Sequence, residues 1–211
     1  MASSTVFSGV KVTWLGHASV MLEADGLIFY IDPFVLPRGA KLADVILYTH
    51  GHFDHAVAAP LITKSSTIAI AHRSCKLPVL LIDVGAKEKI GGVIVEAVDA
   101  YNTNKNFHPR GSGAGYLIHF KSATVYVAGD TDNIPEMKNY KCDIAIVPIG
   151  GTYTMDAKEA SDAIVAISPK VAIPYHYGYL DGLRGDPEGF RMLVTQKTNG
   201  KTDVRLLEMA K

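Results

Sequence analysis

The segment Thr49-His50-Gly51-His52-Phe53-Asp54-His55 follows the apolar run Val45-Ile46-Leu47-Tyr48 and packs three histidines and an aspartate into six residues. Imidazole nitrogen and carboxylate oxygen are the ligands that zinc, iron and manganese accept, and Gly51 is expected to let the chain turn sharply between neighbouring ligands. With eight histidines in 211 residues, so dense a cluster is not the scatter of an ordinary polar loop. Two further donors stand in the same position relative to a strand. Asp130 follows Thr124 to Gly129, and His176 follows Val171 to Tyr175. The carboxyl edge of an α/β sheet is where ligands gather. Three separate strands are therefore expected to deliver His50, Asp130 and His176 to one rim, enough for a two-metal site.

Outward from this segment, short β-branched runs bounded by Gly, Pro and Asp read as strands at 11–15, 20–23, 27–31, 45–49, 67–71, 93–97, 115–120, 124–128, 143–147, 171–174 and 204–207. Asp25-Gly26 marks a hairpin between the second and third. Helices are expected at 54–63, 134–140, 156–167 and 187–197, with Asp156 and Asp186 as N-caps and Pro187 at the first helical position. About eleven strands and four helices call for a layered α/β arrangement of two facing sheets with helices outside, in one domain over residues 1–211. The least regular stretch is 101–115, with Asn102, Asn104, Asn106 and His108-Pro109; a loop of that length is usually functional or mobile.

Composition sets the outer bounds. Lys plus Arg and Asp plus Glu are 21 each, so the formal charge is zero and an electrostatic grip on a long nucleic acid is not expected. Cys75 and Cys142 show no metal-type spacing and no disulfide framework, which fits a reducing, cytoplasmic setting. No run of 18 apolar residues is present, so no membrane span is expected. The expected partner is a small-molecule substrate, and homo-oligomerisation is compatible with the sequence.

The segments Trp14-Leu-Gly-His-Ala-Ser19, Asp32-Pro-Phe34, Thr49 to His55, Gly129-Asp-Thr-Asp132, Pro148-Ile-Gly-Gly-Thr-Tyr-Thr-Met155 and His176-Tyr-Gly178 together resemble the metallo-β-lactamase superfamily. Within it they are similar to small metal-dependent hydrolases related to L-ascorbate-6-phosphate lactonase. The resemblance implies a four-layer αβ/βα sandwich of two facing mixed sheets with helices outside. It further implies that His50 and His52 hold one metal, Asp54, His55 and His176 the second, and that Asp130 bridges the two. Zinc is the first expectation, with manganese or iron as alternatives. Asp32 would steady the histidine loop, as metal-bound imidazoles generally require of some neighbour; a simple turn before Pro33 is the competing explanation.

One segment departs from the superfamily pattern. A further histidine of the first site is expected near the end of the strand beginning at Val93, where this chain has Asn102, with His108 six residues later. Either the loop folds back and His108 serves as the ligand, or the first site lacks that imidazole. Of the other histidines, His17 could reach the site from a neighbouring strand end. His72 has only a permissive position, and His119 reads as structural.

Two divalent cations at this rim would give hydrolysis by a metal-bridging hydroxide, with Asp54 orienting the nucleophile and His17 or His108 available to protonate the leaving group. Ser19 and Cys75 lack the context of a covalent nucleophile. Tyr153, Thr152 and Thr154 are candidate pocket residues. The substrate implied by the resemblance is a phosphorylated lactone or another small ester or phosphoester. A phosphodiesterase or nuclease acting on a nucleotide-type substrate is an alternative, and so is a non-catalytic metal or metabolite sensor. A di-iron redox protein is disfavoured, because such relatives require an attached flavin domain for which there is no room.

Overall fold

The β-branched runs form two seven-stranded sheets in the computed structural model, which describes residues 3–56 and 59–210. The first sheet consists of β1 (Ser4–Phe7), β2 (Val10–Gly16), β3 (Ser19–Ala24), β4 (Leu27–Ile31), β5 (Val45–Tyr48), β6 (Ile68–His72) and β7 (Leu80–Ile82), in that spatial order. The second runs β8 (Lys87–Ile90), β9 (Val93–Asp99), β10 (Ala114–His119), β11 (Thr124–Val127), β12 (Ile144–Pro148), β13 (Val171–Tyr175) and β14 (Asp203–Val204). Each sheet begins as an antiparallel meander and continues with parallel strands, from β4 in the first and from β11 in the second. The parallel strands end nearly level, with Ile31 beside Leu47 and Pro148 beside Tyr175. That register places the residues after them on one edge.

The sheets face each other across a shared apolar layer. Val45 and Leu47 of β5 point into it, as do Ile144 and Ile146 of β12, while the alternate residues Ile46, Tyr48, Ala145 and Val147 point outward into separate clusters. Burial on both faces explains why β5 and β12 read as continuous apolar runs rather than alternating ones. Each fully buried Val, Ile or Phe side chain contributes about 1.5–3 kcal/mol. The outer face of the second sheet packs on α2 (Ala157–Ile167) and α3 (Pro187–Lys197), which bury Ala160, Ala163, Ile164, Phe190 and Val194 there.

The outer face of the first sheet is covered differently from expectation. The helix expected over 54–63 is reduced to one turn, α1 (Phe53–Ala56), and a 3₁₀ turn at Ala59–Leu61, with Val57 and Ala58 outside the described residues. Pro60 in the middle of that span removes a backbone donor and prevents a continuous helix. The 134–140 segment is likewise a 3₁₀ helix, Pro135–Asn139. Strands β1, β7 and β8 were not foreseen: β1 and β7 are short edge strands, and β8 carries Lys87, Glu88 and Lys89, charges that blunt an edge but mask a strand pattern. Among the described residues no helix is long and apolar enough to cross a membrane.

The entry to α2 follows the sequence signal. Asp156 Oδ1 accepts from the Glu159 N–H at 2.7 Å, and Glu159 Oε2 accepts from the Asp156 N–H at 3.0 Å, a reciprocal capping box. Asp156→Ala is expected to cost about 1 kcal/mol of stability, measured by urea denaturation, and to leave bound-metal content unchanged.

Candidate metal centre

Asp32, immediately after β4, is fully buried, and its two oxygens organise the histidine segment. Oδ1 accepts from the Thr49 N–H at 2.8 Å, and Oδ2 accepts from the Thr49 hydroxyl at 2.6 Å and from His55 Nδ1 at 2.8 Å. Because the Thr49 hydroxyl donates to Asp32, it accepts from His50 Nδ1 at 3.0 Å. Both rings thus direct Nδ1 to the scaffold and turn Nε2 towards the rim. Gly51 does not use a left-handed φ; its lack of a side chain gives clearance over the Cys75 backbone, which an added Cβ would meet at 3.3 Å.

The 100–113 loop folds back onto this segment. Asn102 is buried, and its Oδ1 accepts from the His108 N–H at 2.8 Å and from His108 Nδ1 at 3.1 Å. The Asn102 amide nitrogen donates to Asp132 Oδ1 and to the Tyr153 carbonyl, and Lys105 Nζ holds Asp132 in turn at 2.7 Å. His108 Nε2 therefore lies 3.2 Å from His52 Nδ1, which is itself 2.9 Å from His50 Nε2. Of the two arrangements left open for this loop, the structure brings in His108, with Asn102 as the group that orients it. Gly113 permits the close approach, since a Cβ there would meet His50 Cβ at 2.9 Å.

The remaining donors come from the second sheet and the β2–β3 turn. Asp130, after β11, has Oδ2 at 3.3 Å from His108 Nε2 and Oδ1 at 3.1 Å from His176 Nε2 and 3.7 Å from His55 Nε2. His17 has its backbone carbonyl pinned by the Trp14 indole N–H and the His176 N–H, and its Nε2 meets Asp54 Oδ2 at 2.8 Å. His17, Asp32 and His176 all adopt left-handed φ values of 49°, 46° and 60°. Such backbone strain in non-glycine residues gathers where surrounding structure holds it for a purpose.

Among the described residues, three overlapping groups converge closely enough to hold a metal: His50, His52 and His108; His50, His55 and Asp130; and His17, Asp54, His55 and His176. The donor chemistry fits a cation. His50 and His108 both present lone pairs towards His52. His55 Nε2, both ring nitrogens of His176 and Asp130 Oδ1 are buried without a hydrogen-bond partner. Buried polar atoms are rarely left without a partner, and coordination to a cation is one standard way such atoms are satisfied.

Burial holds the His50 imidazole well below its usual range, assisted by His55, and burial likewise lowers His17 and His108. At Asp54 and Asp130, burial alone would raise the carboxyl. The His17 hydrogen bond and the charge of His55 overcome it at Asp54, and His176 and His55 overcome it at Asp130, so both lie well below the ordinary carboxylate range. His55 moves the other way: burial would lower it, but Asp32 and Asp130 prevail and bring it up to about 9.

A pocket of about 320 Å³ opens over these donors. His52, Asp54, His108, Asp130 and His176 form its floor, and Phe53, Phe107, Tyr153, Leu180 and Leu183 its apolar wall. Tyr153 is thus a pocket residue, but its neighbours are not. Thr152 is exposed and donates to the Gly182 carbonyl, while Thr154 is fully buried, and neither lines the cleft. His72 caps the 3₁₀ turn Arg73–Cys75, and His119 pairs with Glu96 and Thr124; neither joins the centre. The Ser19 hydroxyl donates to the Asp32 carbonyl and accepts from the Phe34 and Val35 N–H groups, holding the Asp32 turn. The sequence reading missed the roles of Thr49 and Asp132 and, apart from Tyr153, the apolar wall; Phe53 and Phe107, each adjacent to a candidate ligand, were the available signal.

The family model described as Beta-lactamase superfamily domain matches residues 11–176, the span that contains every one of these donors. The chain belongs to the metallo-β-lactamase superfamily. Its relatives in the superfamily include a UPF0173 metal-dependent hydrolase of Methanoregula boonei, 36% identical over 207 residues that cover 90% of this chain and 92% of the relative. A crystal structure from Parabacteroides distasonis matches with a TM-score of 0.85 at 31% identity, covering 100% of both chains. Igni18, a metallo hydrolase from Ignicoccus hospitalis, matches with a TM-score of 0.79 at 26% identity, covering 96% of each. The two facing mixed sheets with outer helices are the metallo-β-lactamase α/β sandwich.

The raised His55 value generates a test on metal-free protein. A histidine whose folded pKa exceeds its unfolded value contributes stability that is complete below about 6.5 and is lost as pH rises through the folded value. The lowered histidines act in the opposite sense and only below about 6.5. In chelator, stability is therefore expected to fall from about pH 7 towards 9, by urea denaturation. Asp32→Asn is expected to flatten that slope, and an unchanged slope would show that the Asp32–His55 pair does not set it.

Proposed function

We propose that the chain is a binuclear metal-dependent hydrolase, with zinc the first candidate metal, that cleaves a small ester, lactone or phosphoester. The observation that carries this reading is the convergence of bare imidazole nitrogens and buried carboxylates on the floor of a pocket. The hydrolase names of the relatives from M. boonei and I. hospitalis support it. His50, His52 and His108 would hold one ion and Asp54, His55 and His176 the other. Asp130 would contribute to both, since its two oxygens face His108 and His176 separately. Two such cations acidify a water and polarise the scissile bond.

The chain's own residues supply orientation. Asp54 stays ionised and is held through Oδ2 by His17, so it can fix the direction of an attacking water. His17 is a positioning residue, fully buried beneath Asp54. His108 is assigned as a ligand and not as the proton donor to the leaving group, because its Nδ1 proton is committed to Asn102 and its Nε2 faces the other imidazoles. The sensor alternative depends on a missing first-site imidazole, and the approach of His108 Nε2 to His52 Nδ1 and Asp130 Oδ2 supports a ligand there instead. The free Cys75 and Cys142 suit a cytoplasmic location.

Elemental analysis is expected to find about two divalent ions per chain, falling towards one in His108→Ala. Asn102→Ala is expected to weaken first-site affinity about 10–100-fold, because it releases the ring without removing a ligand. Turnover of an ester and phosphoester panel should fall in parallel. Metal content that is unaffected by His108→Ala removes this residue from the site. Tight metal binding without turnover of any substrate favours the sensor.

A further inference from the structure

The wall of the pocket differs in chemistry from its floor. Above the metal-facing donors, the lining is Phe53, Phe107, Tyr153, Leu180 and Leu183, and the one additional charged residue is Asp181. Among the described residues no Lys or Arg lines it. Arg184, next to Leu183, is exposed and outside the lining, and Lys105 is committed to Asp132 and Glu159. Arg110 and Arg73 pair with acidic side chains elsewhere on the surface.

The apolar groups at the mouth are also unusually bare. Phe53 is 73% exposed and Phe107 48%, although each sits directly beside a candidate ligand. Both are held in place: Phe107 packs edge-on against Tyr153 with centroids 4.6 Å apart, and Phe53 edge-on against Phe34 at 6.2 Å. Clustered exposed aromatics beside a cleft mark surface that a ligand covers. A volume of about 320 Å³ limits that ligand to a small molecule.

We propose that the pocket is built for a small uncharged carboxylic ester or lactone, whose apolar group packs on Phe53, Phe107, Tyr153, Leu180 and Leu183. This rests on the hydrolase reading above and narrows it against phosphorylated substrates. A phosphate or carboxylate remote from the scissile bond meets no counter-charge in the wall and faces the Asp181 carboxylate, whereas an alkyl or aryl group there is drawn out of water. In the reaction the acyl C–O bond breaks as a bond forms from the acyl carbon to the water oxygen. One water proton ends on the leaving alcohol and the other is released from the new acid, so no further reactant is needed.

The test uses pairs matched in shape and in the bond at risk. With metal-loaded protein, p-nitrophenyl butyrate is expected to give a kcat/KM about tenfold or more above p-nitrophenyl hemisuccinate, which carries a carboxylate at the end of the acyl chain. Asp181→Lys should shrink this ratio, and Phe107→Ala should raise KM for the butyrate more than for the hemisuccinate. A second readout needs no turnover: calorimetry on metal-free protein should show butyranilide binding more tightly than succinanilic acid, and Phe107→Ala should weaken only the former. A hemisuccinate preference, or equal binding of the two anilides, overturns the proposal while leaving the hydrolase reading intact. Turnover confined to bis(p-nitrophenyl) phosphate also overturns it. Absence of all turnover with the anilide preference intact defeats the hydrolase reading but supports the uncharged, apolar specificity of the pocket.

Discussion

Asp32 carries a buried carboxylate that accepts three hydrogen bonds, from the Thr49 backbone, the Thr49 hydroxyl and His55 Nδ1. A carboxylate with no exposure is tolerable only when its oxygens are satisfied, so these bonds dictate how the end of β4, the end of β5 and the turn α1 meet. Ser19 of β3 closes the arrangement by clasping the Asp32 turn. Consequences pass outward from there. Thr49, having donated to Asp32, accepts from His50, and both His50 and His55 are left with a free nitrogen on the same side.

The same division of labour recurs across the centre. Asn102 takes the Nδ1 proton of His108 as Thr49 takes that of His50, and His17 fixes one oxygen of Asp54. Each such ligand has one atom tied to the scaffold and another directed at the cleft, which fixes tautomer and ring direction before any cation arrives. The arrangement has a cost in unpartnered polar atoms at His55, His176 and Asp130, and in left-handed backbone at His17, Asp32 and His176. Bound metal relieves the first and gives a purpose to the second.

The pocket therefore separates two tasks on two surfaces. Its floor is assembled from both sheets and concentrates charge, while its wall comes from loops and the first residue of α1 and is apolar apart from Asp181. Loops can vary their side chains without disturbing β5, β11 or β13, so the wall is where members of one superfamily can diverge in what they accept. In this chain the wall carries the exposed aromatics Phe53, Phe107 and Tyr153.

Much of the sheet framework and nearly all of the candidate ligands were legible in the residues. Apolar runs bounded by Gly and Asp marked the central strands, the dense His/Asp segment marked the rim, and Asp156 and Asp186 marked helix starts, because each of these signals is local. The edge strands β1, β7 and β8 were hidden by their brevity or charge, and Pro60 within the expected helix carried more weight than its apolar pattern. His108 and Asn102 could not be told apart in sequence, since either could have closed the first site. Their roles are set by a loop that returns to a segment more than fifty residues away and by which side-chain atom faces inward once Asp132 and Tyr153 hold the Asn102 amide. The sequence by itself determined the candidate donor types and the strand ends that carry them; the tertiary structure alone decided ring direction, which of His108 and Asn102 faces the histidine cluster, and the apolar wall, because those depend on hydrogen bonds and packing between segments distant in the chain.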